Sequence, residues 1–115
     1  MTKDTMKACI QNCWDCRDIC QTTMVNHALS KGGAFAQKDH IKLMLDCIEA
    51  CRTCSDFMSR DSVMHPQMCG VCASVCEACA VSCDAMGTPE LKACAEACRT
   101  CAASCAQMSR MNMMA

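Results

Sequence analysis

CGVCASVCEACAVSC, residues Cys69 to Cys83, decides the reading of this chain, because its five cysteines recur at steps of three, four, three and four residues. Those steps keep pace with a helix of about 3.6 residues per turn, so every thiol falls on one stripe. A strand would scatter them over two faces, because its side chains alternate. The stretch is therefore expected to be one helix whose inward face carries sulfur where other proteins carry leucine.

The spacing returns three times. Cys9, Cys13, Cys16 and Cys20 step by four, three, four, and Met6, Met24 and His27 extend that line. Cys47, Cys51 and Cys54 step by four and three, with His40, Met44 and Met58 extending it at either end. Cys94, Cys98, Cys101 and Cys105 again step by four, three, four, and Met108 continues the stripe. All sixteen cysteines are accounted for, with none left over in a loop.

Punctuation between the stripes sets the connections. The first helix is expected over about residues 5–29, capped by Asp4 or Thr5 and ended by Gly32 and Gly33. The second spans about 37–60, and the third about 66–85, with Pro66 in its first turn where a missing N–H costs nothing. Gly87, Thr88 and Pro89 read as a C′ glycine, a threonine N-cap and a proline at N1 opening a fourth helix over about 89–108. The terminal MNMMA reads as a loose tail. Short connections imply antiparallel neighbours. The expectation is an all-α, up-down-up-down four-helix bundle with a cysteine-lined core, residues 1–115 forming a single domain.

That topology sorts the poles of the bundle. Met6, Met58, His65 and Met108 gather at one, and Met24, His27, His40, Met44 and Met86 at the other. Trp14 and Ile10 flank the first stripe and are expected to pack against a neighbouring helix or subunit.

Composition narrows the function. A net charge of −1, no Tyr, two Phe and one Trp give neither a basic footprint nor stacking surface for nucleic acid. No stretch is expected to reach the length and apolarity of a membrane span. No export signal is visible in residues 1–30, which points to the reducing cytosol. Disulfide frameworks place cysteines at irregular, loop-rich spacings, whereas successive turns of one helix fit disulfide geometry poorly. Val, Ile, Leu, Phe and Trp together number sixteen, the same as the cysteines, so the ordinary core is thin and a bound species would add stability. No serine, histidine and carboxylate converge, and a thiol-redox enzyme needs one exposed, activated pair, so the chain is not expected to be an enzyme.

A tube of thiols suits soft metals. Cysteines four apart have Cβ atoms about 5–6 Å apart, and rotamer adjustment lets two sulfurs clasp one ion. Charge ranks the candidates. Four Zn²⁺ shared among sixteen thiolates would leave roughly −8 in the interior, whereas one Cu⁺ per thiolate leaves none, and buried net charge is costly. Iron–sulfur ligation is the weaker rival, because no CxxCxxC run occurs. Metallothionein-like zinc buffering by tetrahedral Cys₄ sites stays open as the alternative. A bundle that merely uses cysteine as a small hydrophobe is the plain structural reading, and sixteen thiols in register argue against it.

The CxxxCxxCxxxC stripes, with methionine and histidine at the mouth, resemble the bacterial copper storage proteins, specifically the cytosolic branch, over essentially the whole chain. The resemblance implies core cysteines holding many Cu(I) ions and bundles assembled as a homotetramer. It also implies an entrance at the pole carrying the first-to-second and third-to-fourth connections, where Met24, His27, His40, Met44 and Met86 lie. Met58, which continues the second stripe toward the opposite pole, is a further candidate auxiliary ligand. A copper chaperone or small-thiol carrier would be the partner. The chain departs from the cytosolic pattern at its third connection, where Gly87, Thr88 and Pro89 stand in place of histidines.

Overall fold

Four helices follow from the four stripes. The computed structural model describes residues 3–111, and the side chains of residues 4–110. Helix α1 spans Lys3–Thr23, passes through a π-helical turn at Met24–Ala28 and closes with an α turn at Leu29–Lys31. Helix α2 is Lys38–Ser59, α3 is His65–Met86 and α4 is Pro89–Met111. No strand occurs among the described residues.

Local chemistry explains most of the boundaries. Gly32 ends the first helical rod at φ 71° and Gly87 ends α3 in the left-handed region at φ 76°, where a Cβ would be strained. Thr88 Oγ1 accepts the Leu91 N–H at 3.2 Å, the N-cap bond expected for α4. Pro66 sits in the first turn of α3.

Several details differ from expectation. Helix α1 is already running at Lys3, so Asp4 and Thr5 lie within its first turn and its cap falls outside the described residues. His65, just before the expected start of the third helix, is the first residue of α3 and is buried. Helix α4 runs through to Met111, and the rest of the terminal MNMMA lies outside the described residues. Ile10 is partly buried against the core, as expected, while Trp14 leaves 43% of its surface exposed. Helix α3 also reaches a membrane span's length and apolarity, with 22 residues and a mean hydropathy of 1.4. Its apolarity rests partly on the stripe cysteines, which face the other three helices.

Helices adjacent in sequence pack together, and α1 closes the ring against α4, in a form 47 × 21 × 19 Å. Cross-bundle pairs fix the directions. Cys9 meets Cys105 and Cys20 meets Cys94, so α1 and α4 are antiparallel. Cys54 meets Cys69 and Cys47 meets Cys76, so α2 and α3 are antiparallel as well. This is the up-down-up-down order that short connections impose.

The interior is unusual in what fills it. Every cysteine is fully buried, joined by Met24, Met44, Met58, Met108 and five alanines. Of the described Val, Ile, Leu, Phe and Trp residues, Leu91 alone is buried. Aliphatic side chains line the rim of the core instead, with Ile41, Ile48 and Val75 packed on it from outside.

Candidate metal centre

The helical register delivers the thiols to the axis, and antiparallel packing brings them into contact. All sixteen are free. Fourteen of their Sγ atoms form a continuous chain of contacts along the bundle, and Cys79 and Cys83 pair beside it. At one pole Cys9–Cys105, Cys105–Cys54 and Cys54–Cys69 lie at 3.6, 3.9 and 3.4 Å. In the middle Cys13–Cys101, Cys51–Cys76 and Cys16–Cys47 lie at 3.6, 3.7 and 3.6 Å. Toward the other pole Cys20–Cys94 closes to 3.1 Å and Cys79–Cys83 stands at 4.0 Å. A metal–sulfur bond of about 2.3 Å lets one ion bridge sulfurs up to roughly 4.6 Å apart, so each of these contacts is within reach of a single ion.

Three sets of four sulfurs lie within 4.8 Å of one another: Cys13, Cys72, Cys101 and Cys105; Cys16, Cys20, Cys47 and Cys98; and Cys16, Cys51, Cys76 and Cys101. The sets overlap at Cys16 and at Cys101. Separate tetrahedral Cys₄ sites would need each thiolate for one ion, so the three cannot all be filled in that way. A ladder in which each sulfur serves two ions of low coordination number fits the overlap. Only two of the three sets share no cysteine, so they offer at most two separate Cys₄ sites, and the arrangement does not favour the zinc alternative.

Buried thiols in contact share protons. Hydrogen bonds from neighbouring thiols hold some of these cysteines, among them Cys9, Cys47, Cys54, Cys79, Cys94 and Cys101, below the ordinary thiol range and push others, such as Cys13, Cys20 and Cys51, above it. The Cys105 thiol, with help from Cys13, holds Cys9 down at about 4. Cys20 does most to hold Cys79 at about 6. Two touching sulfurs cannot both ionise cheaply in a dry core, so one keeps its proton and donates it to the other. A soft monovalent cation entering between them replaces that proton.

The poles hold the remaining candidates. Met44 is fully buried, Met24 is buried one turn beyond Cys20, and Met86 is partly buried. Both histidines of the connection pole are buried. His27 Nε2 lies 2.9 Å from Thr88 Oγ1, its Nδ1 lies 3.8 Å from Glu90, and Phe35 meets its ring edge-on at 5.9 Å. His40 Nδ1 lies 2.7 Å from Ser82 Oγ while its Nε2 is buried without a partner. Desolvation holds His40 below its usual pKa, so its ring stays neutral with a lone pair to offer. A hydrogen bond on one ring nitrogen fixes which nitrogen faces a metal. Ser82, Thr88 and Glu90 thus orient the histidines, a role that spacing within one helix could not reveal. The π turn at Met24–Ala28 was not foreseen either. It widens the helix where Met24 and His27 turn inward.

Known proteins share this arrangement. The copper storage protein family matches residues 2–110. A cysteine-rich protein of Bacillus subtilis, YhjQ, is 34% identical over 81 residues, 67% of this chain and 70% of the relative. A crystal structure of a protein from Nitrosospira multiformis superposes with a TM-score of 0.90 at 38% identity, covering 96% of this chain and 99% of that one. The Cu(I)-bound copper storage protein BsCsp3 gives a TM-score of 0.85 at 31% identity over 91% of this chain and 98% of its own. The apo form of copper storage protein 3 from Bacillus subtilis gives 0.81 at 31% identity over 90% and 97%. With the match running almost the full length of the sequence and the sulfur-filled four-helix core behind it, the chain belongs to the copper storage protein family.

Proposed function

We propose that this chain takes up and stores multiple Cu(I) ions on the sixteen cysteines of its core, Cys9, Cys13, Cys16, Cys20, Cys47, Cys51, Cys54, Cys69, Cys72, Cys76, Cys79, Cys83, Cys94, Cys98, Cys101 and Cys105. The supporting observation is the run of buried Sγ contacts between 3.1 and 4.0 Å along the bundle, in which the middle tetrad shares Cys16 and Cys101 with its two neighbours. Copper is the cargo, and the chain performs no catalysis.

Soft thiolates favour Cu(I), and one positive charge per thiolate neutralises the interior. Each ion displaces a proton as it binds. His40, with Nδ1 tied to Ser82, would offer Nε2 at the connection pole, beside Met24, His27, Met44 and Met86, and pass copper inward between neighbouring thiols. Met58 would act as a further auxiliary ligand at the opposite pole. The whole sequence would act as one domain in the reducing cytosol, either holding copper for cuproenzymes or removing it as a toxin. A chaperone or small-thiol carrier would deliver and collect it.

A homo-oligomer, a tetramer by family resemblance, is supported by apolar side chains left on the surface, among them Trp14, Leu45, Val71 and Val81. Light scattering of the reduced protein tests it, a purely monomeric mass being the contrary result.

The deciding experiment is anaerobic titration of the reduced chain with Cu(I), and separately with Zn²⁺, against a competing chelator. Many tightly held Cu(I) ions per chain are expected. A limit of about four tight zinc ions with little cuprous capacity would fit Cys₄ buffering instead.

A further inference from the structure

The ladder of thiols ends, at the pole away from the two connections just described, in a layer made by Cys9, Cys54, Cys69 and Cys105, with contacts of 3.6, 3.9 and 3.4 Å. One helical step beyond each of these residues, on the same face of the same helix, stands a soft or nitrogen donor. Met6 precedes Cys9 by three, Met58 follows Cys54 by four, His65 precedes Cys69 by four and Met108 follows Cys105 by three. Met58 and Met108 are 1% and 0% exposed, and Met6 is partly buried against the core.

His65 is the residue that turns this from packing into chemistry. It is 9% exposed, and its Nδ1 is buried with no hydrogen-bond partner. A buried donor or acceptor left without a partner is unfavourable, and such groups are few in folded proteins. The orphaned nitrogen belongs to a side chain in register with five cysteines of its own helix, at a layer otherwise supplied by thioethers. Thioether sulfur and neutral imidazole are both donors for Cu(I). No carboxylate or ammonium continues any of the four stripes at this layer.

We propose that His65 Nδ1, with the thioethers of Met58 and Met108 and with Met6 at the rim, forms a Cu(I) site at this second pole, distinct from the thiolate ladder and capping it. The proposal rests on the reading of the core as a Cu(I) store. Its donors are neutral, so an ion held there keeps its positive charge and draws that charge's compensation from the thiolate layer of Cys9, Cys54, Cys69 and Cys105. Binding at this site releases no thiol proton, and the ion is held less tightly than one between two thiolates. The site gives the store a second point of exchange, across the bundle from His40.

The test is long-range ¹H–¹⁵N NMR of the histidine rings during anaerobic Cu(I) titration of the full chain, with thiolate-to-copper absorbance in the ultraviolet followed in parallel. The expected result is growth of the absorbance, then a displaced His65 Nδ1 resonance at the highest loadings. Growth of the absorbance to saturation with the His65 ring unmoved would overturn the second-pole site while leaving the store intact. No growth at all would overturn both. As an independent arm, His65→Phe and the double variant Met58→Leu/Met108→Leu replace the donors by apolar groups of similar volume, which cores tolerate. Each should keep apo helicity and thiolate absorbance while lowering capacity by about one Cu(I) per chain. Unchanged capacity in both would overturn the assignment.

Discussion

The two poles of the bundle hold the same kinds of residue under different control. At the connection pole, His40 is tied to Ser82 and His27 to Thr88 and Glu90, so helices α3 and α4 hold the imidazoles of α1 and α2 in place. At the other pole His65 Nδ1 has no such partner, and three methionines share its layer. A pinned imidazole offers one nitrogen in a fixed direction, whereas thioethers on flexible stems adapt. On the proposed reading, the difference would separate a pole that orients an incoming ion from one that accommodates an ion more loosely.

The largest expected effect lies between the poles. Cys76→Ser with Cys79→Ser removes the sulfur that touches Cys47 and Cys51, each at 3.7 Å, and its neighbour toward the connection pole. Cu(I) capacity measured against a chelator should fall by about two ions per chain while circular dichroism stays helical. Full capacity would mean that those thiols are not ligands and that the poles, not the ladder, hold the copper.

Acid sharpens the contrast. Thiols such as Cys13, Cys20 and Cys51 are held protonated by their neighbours and must release protons to bind. Cu(I) affinity of the ladder should therefore fall as pH falls, by about tenfold per unit for each proton released, and recover as pH rises. A competition titration at several pH values reads the slope, and an ion held by neutral donors should show a much flatter one.

Stability gives the next test. Leu91→Ala truncates the buried leucine near the connection pole, the one buried residue among the described Val, Ile, Leu, Phe and Trp, and should cost the apoprotein about 2–5 kcal/mol in urea unfolding. Loading with Cu(I) should recover much of that loss, since a cargo bound only by the folded chain stabilises it. Failure of copper to raise the midpoint would break the link between core filling and stability.

Smaller again is the orienting effect of Ser82. Ser82→Ala frees His40 Nδ1 and should weaken Cu(I) capture at the connection pole by about 10–100-fold, with core capacity unchanged. The smallest is Thr88→Ala, which removes the Leu91 cap and the His27 partner together and should lower stability by about 1 kcal/mol. If the Ser82 variant captured copper as well as the native chain, the two poles would be equivalent and the comparison would fail.

Much of this molecule is visible in one dimension. Steps of three and four residues place each cysteine on one face of its helix, and antiparallel short connections aim four such faces inward, so the sulfur-lined bundle follows from spacing and turn residues alone. Gly87, Thr88 and Pro89 close α3 and open α4 by the chemistry of their own side chains and backbones. What spacing sets is an angle around one helix axis, and it carries no information about the partner across the bundle. The overlap of tetrads at Cys16 and Cys101, the pinning of His40 by Ser82, and the unpartnered Nδ1 of His65 depend on how far the helices slide and rotate against one another. The π turn at Met24–Ala28 belongs with these, because no residue there demands it locally. Sequence periodicity determined that sulfur would fill the axis. Tertiary packing decided which sulfurs meet and which imidazole nitrogens remain free, because both are set by contacts between residues far apart along the chain.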